Sequence, residues 1–246
     1  VLVLLHGLEG NAQRPYMLGS VRLFSQNGFD ICAVNLRGCS GETNRLFRSY
    51  HSGATSDLDA VVMHLATQTD YERIYLKGFS LGGNLILKYL GEERARPGRI
   101  AGAAAISVPC DLHDSLQQLN KPKNRMYARR FLKSLREKAI AKHRLFPDKL
   151  PRQAVDRIRS LQDFDDLYTS KAHGFVDALD YYQKCSSGQF LSGISVPTLL
   201  LNAKNDSFLG PGCYPREQCR THPQLHFEMP EFGGHVGFVE QGLYYY

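Results

Sequence analysis

The chain has 246 residues, 43% hydrophobic and 22% charged, with a mean hydropathy of −0.32, which excludes an intrinsically disordered chain and permits a full core without metals or disulfides. Its longest apolar stretches, residues 1–5 and 101–108, fall far short of the ~18–20 residues of a membrane-spanning helix. The net charge is +6, but residues 121–149 hold eleven Lys or Arg against Glu137 and Asp148, a local +9 that leaves −3 for the rest; a generally basic, nucleic-acid-coating surface is not expected.

Strand-length apolar runs alternate with helix-length amphipathic segments, the pattern of a parallel α/β sheet. Residues 1–5 read as a strand covered on both faces, stopped by His6-Gly7. A helix follows Pro15 and Gly28 ends it; residues 31–35 form a second strand, closed by Arg37-Gly38. Residues 53–67 read as a helix from the spacing of Leu58, Val61, Val62 and Leu65. Residues 74–79 are a third strand, 81–90 a helix with Gly91 at its end, and 100–108 a fourth strand stopped by Pro109.

From residue 110 to 193 the rhythm changes to charged, mostly helical sequence. A long helix over about 124–146 places Met126, Tyr127, Phe131, Leu135 and Ala139 on one face. Strand chemistry resumes at 197–202 and 225–229. The expected organisation is a sheet core from residues 1–109 and 194–246, with 110–193 inserted as a helical cap. Six cysteines are too sparse for a disulfide scaffold, and none forms a C-x-x-C zinc pair. A reduced, cytoplasmic protein is expected. The chain begins at Val1 inside an apolar run, so further sequence, with any targeting segment, is expected upstream.

The strongest chemical signal is Gly78-Phe79-Ser80-Leu81-Gly82-Gly83, a G-x-S-x-G between a predicted strand and a predicted helix. A sharp strand-to-helix turn crowds the backbone, so glycines flank it, and the Ser80 hydroxyl stands above the carboxyl end of the sheet. The Leu81 amide at the helix start is then a candidate oxyanion donor. A serine needs a base, and the base an orienting acid. Asp206, after the 197–202 strand, and His235, in Gly233-Gly234-His235-Val236-Gly237, supply them in the order Ser, acid, His. Asp111 and Asp114 are rival acid positions, rated below Asp206. Leu8, in His6-Gly7-Leu8-Glu9-Gly10, is the candidate for a second oxyanion amide, and His6 reads as structural rather than as a base.

These motifs resemble the α/β-hydrolase superfamily and, within it, the YheT-like group. The resemblance spans nearly the whole chain. It rests on His6-Gly7-Leu8-Glu9-Gly10 with Arg14-Pro15-Tyr16, on Asn35-Leu36-Arg37-Gly38-Cys39-Ser40-Gly41-Glu42, and on Tyr50-His51-Ser52-Gly53. It continues in the nucleophile elbow with Asn84, in Asn205-Asp206-Ser207-Phe208-Leu209, and in Gly233-Gly234-His235-Val236-Gly237-Phe238. The resemblance implies an α/β-hydrolase fold and a triad of Ser80, Asp206 and His235. Ser207 departs from the group, which more often has proline after the acid. Members carry earlier strands and a helix after the histidine, of which residues 239–246 are expected to supply only part.

The expected activity is cleavage of a carboxylic ester of short to medium acyl chain by a serine hydrolase, without metal or organic cofactor. Acyl transfer to an alcohol uses the same residues, and a non-catalytic binding module keeps the same fold. A nucleic-acid binder rests only on the basic run and predicts steep salt dependence. Arg129, Arg130, Lys133 and Arg136 fit an anionic lipid surface or substrate, against the plainer reading of a solvated helix face. Phe164, Tyr168, Phe175 and Tyr181 read either as acyl-pocket lining or as core packing.

Overall fold

The aliphatic runs pair edge to edge into one sheet. In a computed structural model, which describes residues 1–240 and 243–244 with side chains to residue 238, six strands run parallel in the order β2-β1-β3-β4-β5-β6. They are β1 (Leu2–Leu5), β2 (Ile31–Val34), β3 (Ile74–Phe79), β4 (Ile100–Ile106), β5 (Thr198–Leu201) and β6 (Leu225–Glu228). Every residue of β1 is buried, as a parallel strand covered on both faces requires. Helices α1 (Pro15–Gln26), α2 (Thr55–Gln68) and α3 (Leu81–Gly91) connect the first four strands. The chain order reverses direction between β1 and β3, and the crevice at their carboxyl ends is where ligands of open α/β sheets bind.

Helix α3 is the central element. All its residues except Lys88 and Gly91 are buried, because its Leu, Ile and Gly surface has no polar face to give to water. After β4 comes the helical stretch: α4 (Leu112–Leu119), α5 (Arg125–Leu145), α6 (Arg152–Arg157), α7 (Leu161–Phe164), a π-helical turn at Asp165–Thr169, α8 (Ser170–His173) and α9 (Ala178–Cys185). It builds its own apolar cluster around Leu116, Leu135, Ala139, Ile158 and Tyr168. Helix α10 (Arg216–Thr221) returns the chain to β6. Among the described residues no helix is long and apolar enough to cross a membrane, and all six cysteines are free thiols.

Two expectations need correction. Leu135 and Ala139 are buried on the inner side of α5, but Tyr127 is 52% and Met126 84% exposed. Steps of four residues drift about 40° around a 3.6-residue helix, so Tyr127 has left the face that Ala139 defines, and Met126 lies a further ~100° away. At the C-terminus, β7 (Val239–Glu240) and β8 (Leu243–Tyr244) pair antiparallel where part of a helix was expected; residues 241, 242, 245 and 246 lie outside the described residues. Strand ends also differ slightly: β4 stops at Ile106 because Ser107 has φ +54°, which breaks the pleat.

One buried amide joins the sheet side to the helical stretch between β4 and β5. Asn84 on α3 is fully buried; its Nδ2 donates to Ser52 O (3.0 Å) and Cys185 O (2.9 Å), and its Oδ1 accepts from Ser187 N (2.9 Å). Asn84→Ala strands all three backbone groups away from water. The expected loss is about 3 kcal/mol, read as a lowered urea midpoint with an unchanged denaturant slope; an unchanged midpoint contradicts this assignment.

Candidate active site

Ser80 occupies a backbone conformation that few side chains tolerate, φ +52° and ψ −118°. Such a residue costs about 1–3 kcal/mol and persists only where its neighbours hold it. Here the Ser80 N–H donates to Ile106 O of β4 (2.8 Å), and Ser80 O accepts from Asn84 N (3.0 Å). Glycines make the turn possible: a Cβ on Gly78 falls 2.7 Å from Gly83 N, and one on Gly82 falls 2.7 Å from the carbonyl oxygens of Leu5 and His6.

The loop after β1 is pinned by side chains. His6 is fully buried; its Nε2 accepts from Leu36 N (3.1 Å), so Nδ1 carries the proton and donates to Gly7 O (2.8 Å). Burial pushes its pKa down to about 4, and the structural role read from the sequence holds. Gly7 N donates to Tyr16 Oη (3.1 Å) and Glu9 N to Tyr50 Oη (2.9 Å). Leu8, between these two pinned amides, lines the cavity. Glu9, at φ +53°, turns its carboxylate onto Tyr50 Oη (2.6 Å), Lys138 Nζ (2.7 Å) and Ser134 Oγ, the last two from α5.

The acid and the histidine meet. His235 Nδ1 lies 2.8 Å from Asp206 Oδ2, and a carboxylate only accepts, so the neutral imidazole carries its proton on Nδ1 and Nε2 is the basic nitrogen. Asp206 Oδ1 accepts from Phe208 N (2.9 Å), and the carboxyl is completely shielded from solvent. The histidine loop is held by Gly234 N to Asn205 Oδ1 (2.8 Å) and Val236 N to Ser107 Oγ (3.1 Å), while the Phe208 ring lies 4.3 Å from the imidazole. The rival acids are engaged elsewhere. Asp111 caps α4 by accepting from Asp114 N (3.0 Å), and Asp114 accepts from Gly212 N (2.7 Å).

Ser80, Leu81, Leu8 and His235 all line one cavity of about 580 Å³, with Asp206 bonded to His235. The opposite wall comes from the insertion, through Tyr127, Phe131, Phe164, Asp165 and Tyr181. Of the four aromatics weighed from sequence, Phe164 and Tyr181 line the cavity. Tyr168 is buried in the insertion, donating to Phe47 O (2.6 Å), and Phe175 packs on His51 and Tyr181. Sequence reasoning assigned no role to Glu9, Ser107 or Asp165. Glu9 stood inside a quoted motif, but nothing local announces that Lys138, 129 positions away, pairs with it.

A family model described as the alpha/beta hydrolase fold matches residues 1–241. The chain belongs to the α/β-hydrolase family. Within it, this hydrolase-fold chain is 35% identical over 240 residues to the protein named "Putative esterase YheT" of Escherichia coli, covering 97% of this chain and 70% of that one, which places it in the YheT-like group. It is 30% identical over 240 residues to phospholipase ABHD3 of Mus musculus, covering 97% of this chain and 58% of that protein. It is also 30% identical over 249 residues to the monoacylglycerol lipase of Saccharomyces cerevisiae, covering 98% and 55% respectively. The chain thus spans little more than half of the last two relatives. Among solved structures, the Pyrococcus furiosus esterase Pf2001 shares the fold at a TM-score of 0.60 and 17% identity, over 96% of this chain and 74% of that one.

Three histidines of this α/β-hydrolase, His6 buried and His51 and His173 half-buried, are expected to make it acid-sensitive. Burial lowers His6 to about 4, His51 to about 3 and His173 to about 4; the last two rings lie 4.3 Å apart. The unfolded chain, with histidines near 6.5, binds protons that the native state refuses, so stability is full above pH 6.5 and falls as pH drops toward 4. Each contributes up to about 1.4 kcal/mol per pH unit. Asp165, raised by burial to about 6, opposes this with one proton over the same range. The urea midpoint is expected to decrease from pH 7 to pH 5, less steeply in His6→Asn; a midpoint level across that range contradicts the account.

Proposed function

We propose that this protein is a serine hydrolase of carboxylic esters, with Ser80 as nucleophile, His235 as base and Asp206 as its orienting acid. The observation that carries the reading is the 2.8 Å Asp206–His235 contact at the same cavity as the strained Ser80 turn. Ser80 Oγ attacks the ester carbonyl while His235 Nε2 takes its proton. The amides of Leu8 and Leu81 hold the tetrahedral oxyanion. Leu81 begins α3, whose first turn carries no acid to offset the helix dipole. Collapse expels the alcohol with the proton from His235, and water resolves the acyl-enzyme by the same route. Residues 110–193 act as the cap. The apolar walls and the 580 Å³ volume favour a short to medium acyl chain, and the names of the relatives support an esterase or lipase activity.

A fluorescent fluorophosphonate is expected to label wild type, not to label Ser80→Ala, and to label His235→Ala weakly. Hydrolysis of 4-nitrophenyl esters falls by about 10⁴–10⁶ in Ser80→Ala and about 10⁴ in Asp206→Asn. Absent labelling of the folded protein moves the binding-module reading ahead. Ester formation outrunning hydrolysis when an alcohol is added identifies the acyltransferase instead.

A second proposal concerns where substrate comes from. Met126 and Tyr127 are exposed among Arg125, Arg129, Arg130 and Lys133, also exposed, and Tyr127 and Arg130 line the cavity as well. Among the described residues these four cations form no ion pair. An apolar tip ringed by cations suits an anionic lipid surface. The protein is expected to co-sediment with vesicles containing phosphatidylserine and not with pure phosphatidylcholine, and to lose this in 0.5 M salt or in Met126→Asp/Arg129→Glu. Equal sedimentation with both vesicle types sinks the idea.

A further inference from the structure

The cavity holds a carboxylate that the ester chemistry above does not use. Asp165 begins the π-helical turn after α7, a distortion that recurs at functional sites. Its Oδ1 accepts from Thr169 Oγ1 and its Oδ2 from Tyr182 Oη, both at 2.7 Å. A carboxylate has about four acceptor positions, so two are left. Asp165 is half-buried and lines the cavity beside Phe164, Tyr181 and Tyr182.

Among the described residues no Lys, Arg or His forms an ion pair with Asp165. The cavity's other buried carboxylate, Glu9, is matched by Lys138 at 2.7 Å. The Arg and Lys residues that line the cavity, Arg14, Arg130 and Lys138, form no ion pair with Asp165. Asp166 is a like charge whose Oδ1 accepts from Ala178 N, and the Cys185 thiol is pushed up to about 12 by burial. His51 and His173 are held neutral by burial, and the Tyr181 and Tyr182 hydroxyls are pushed upward. His113 stacks on Tyr182 with ring centroids 6.3 Å apart.

An unpaired carboxylate in a substrate cavity, with aromatic rings beside it, is the arrangement that receives an ammonium group, through direct charge pairing and cation–π attraction. We propose that Asp165 is a specificity-determining residue that binds a positively charged ammonium group carried by the ester substrate. The proposal deepens the ester-hydrolase reading, since it assumes that this cavity is where the ester binds.

The test uses two octanoyl esters of the same shape, one of 2-(trimethylammonio)ethanol and one of 3,3-dimethylbutanol, which differ by nitrogen cation against carbon. Ser80→Ala, which does not turn them over, is expected to bind the cationic ester at least tenfold more tightly by calorimetry, and adding Asp165→Asn is expected to bring the two within twofold. In wild type the ratio of kcat/KM for the two esters needs no substitution at position 165. It is expected to favour the cationic ester at pH 7.5 and to fall toward one at pH 5, since burial raises the Asp165 carboxyl to about 6 and protonation discharges it. Any pH-dependent loss of activity shared by both esters cancels in the ratio. Equal binding of the two esters by Ser80→Ala overturns the proposal, as does a preference that survives Asp165→Asn. Failure of wild type to hydrolyse either ester instead overturns the ester-hydrolase reading, and the binding comparison still decides the cation site.

Discussion

The site depends on one strained residue being held from both sides. Ser80 at φ +52° is stable only because β3 is flanked by β1 and β4. The β4 side supplies Ile106 O as acceptor for the Ser80 amide. The β1 side brings the carbonyls of Leu5 and His6 so near Gly82 that no side chain fits there. The parallel register sets the carboxyl ends of β1, β3 and β4 level, so that Leu8 and Ser80 line one cavity while Ser107 holds the Val236 amide beside it. Helix α3 follows from the same constraint. It leaves the turn directly into the core, and its buried Leu and Ile residues make the turn difficult to relax without unpacking the sheet.

Apolar contact brings the insertion to the sheet, but hydrogen bonds set its register. Hydrophobic attraction is non-directional, and a helical layer resting on apolar walls alone could slide. Glu9 to Lys138 and Ser134, Asn84 of α3 to Cys185 and Ser187, and Lys142 to Asn44 O (2.8 Å) each join the sheet side to the residues between β4 and β5. Of these, Glu9, Ser134 and Lys138 line the cavity. The cavity's shape is then a consequence of polar pairs whose unmaking leaves buried groups unsatisfied, at about 1–3 kcal/mol each.

The strands, the strand-to-helix turn at Ser80 and the loops that carry Asp206 and His235 were legible because each is local: a run of branched aliphatics, a glycine pattern, a loop after a strand. The third strand, residues 74–79, is found where its residues predict it. What was not legible lies in long-range pairing and in helical phase. The outward position of Met126 follows from drift along an i, i+4 ridge that a sequence pattern smooths over. Asp165 sits in a stretch that reads as ordinary charged helix, and the hydrogen bond it accepts from Tyr182, seventeen positions away, has no local signal. Glu9 is the same case at greater range. The C-terminal helix failed for a different reason, since it was carried over from a family likeness rather than from these residues.

The acid loop shows how a departure from the family pattern is absorbed. Proline after the acid, the commoner residue in the group, stiffens a loop through the unfolded state, by about 0.4–1 kcal/mol. Ser207 gives up that restriction and instead donates through Oγ to Asn124 Oδ1 (2.7 Å), while Asn124 Nδ2 donates back to Ser207 O (2.7 Å) and to Gln118 O (2.9 Å). Ser115 Oγ adds a bond to Phe208 O (2.8 Å). The rigidity that proline would place within the loop thus resides in its contacts with α4 and the start of α5. Ser207 and Phe208, which follow Asp206, are held by Ser115 of α4 and by Asn124 at the start of α5. In this chain the element that shapes the cavity also steadies the acid, so a displacement of α4 or of the first turn of α5 reaches the Asp206–His235 hydrogen bond without touching either residue.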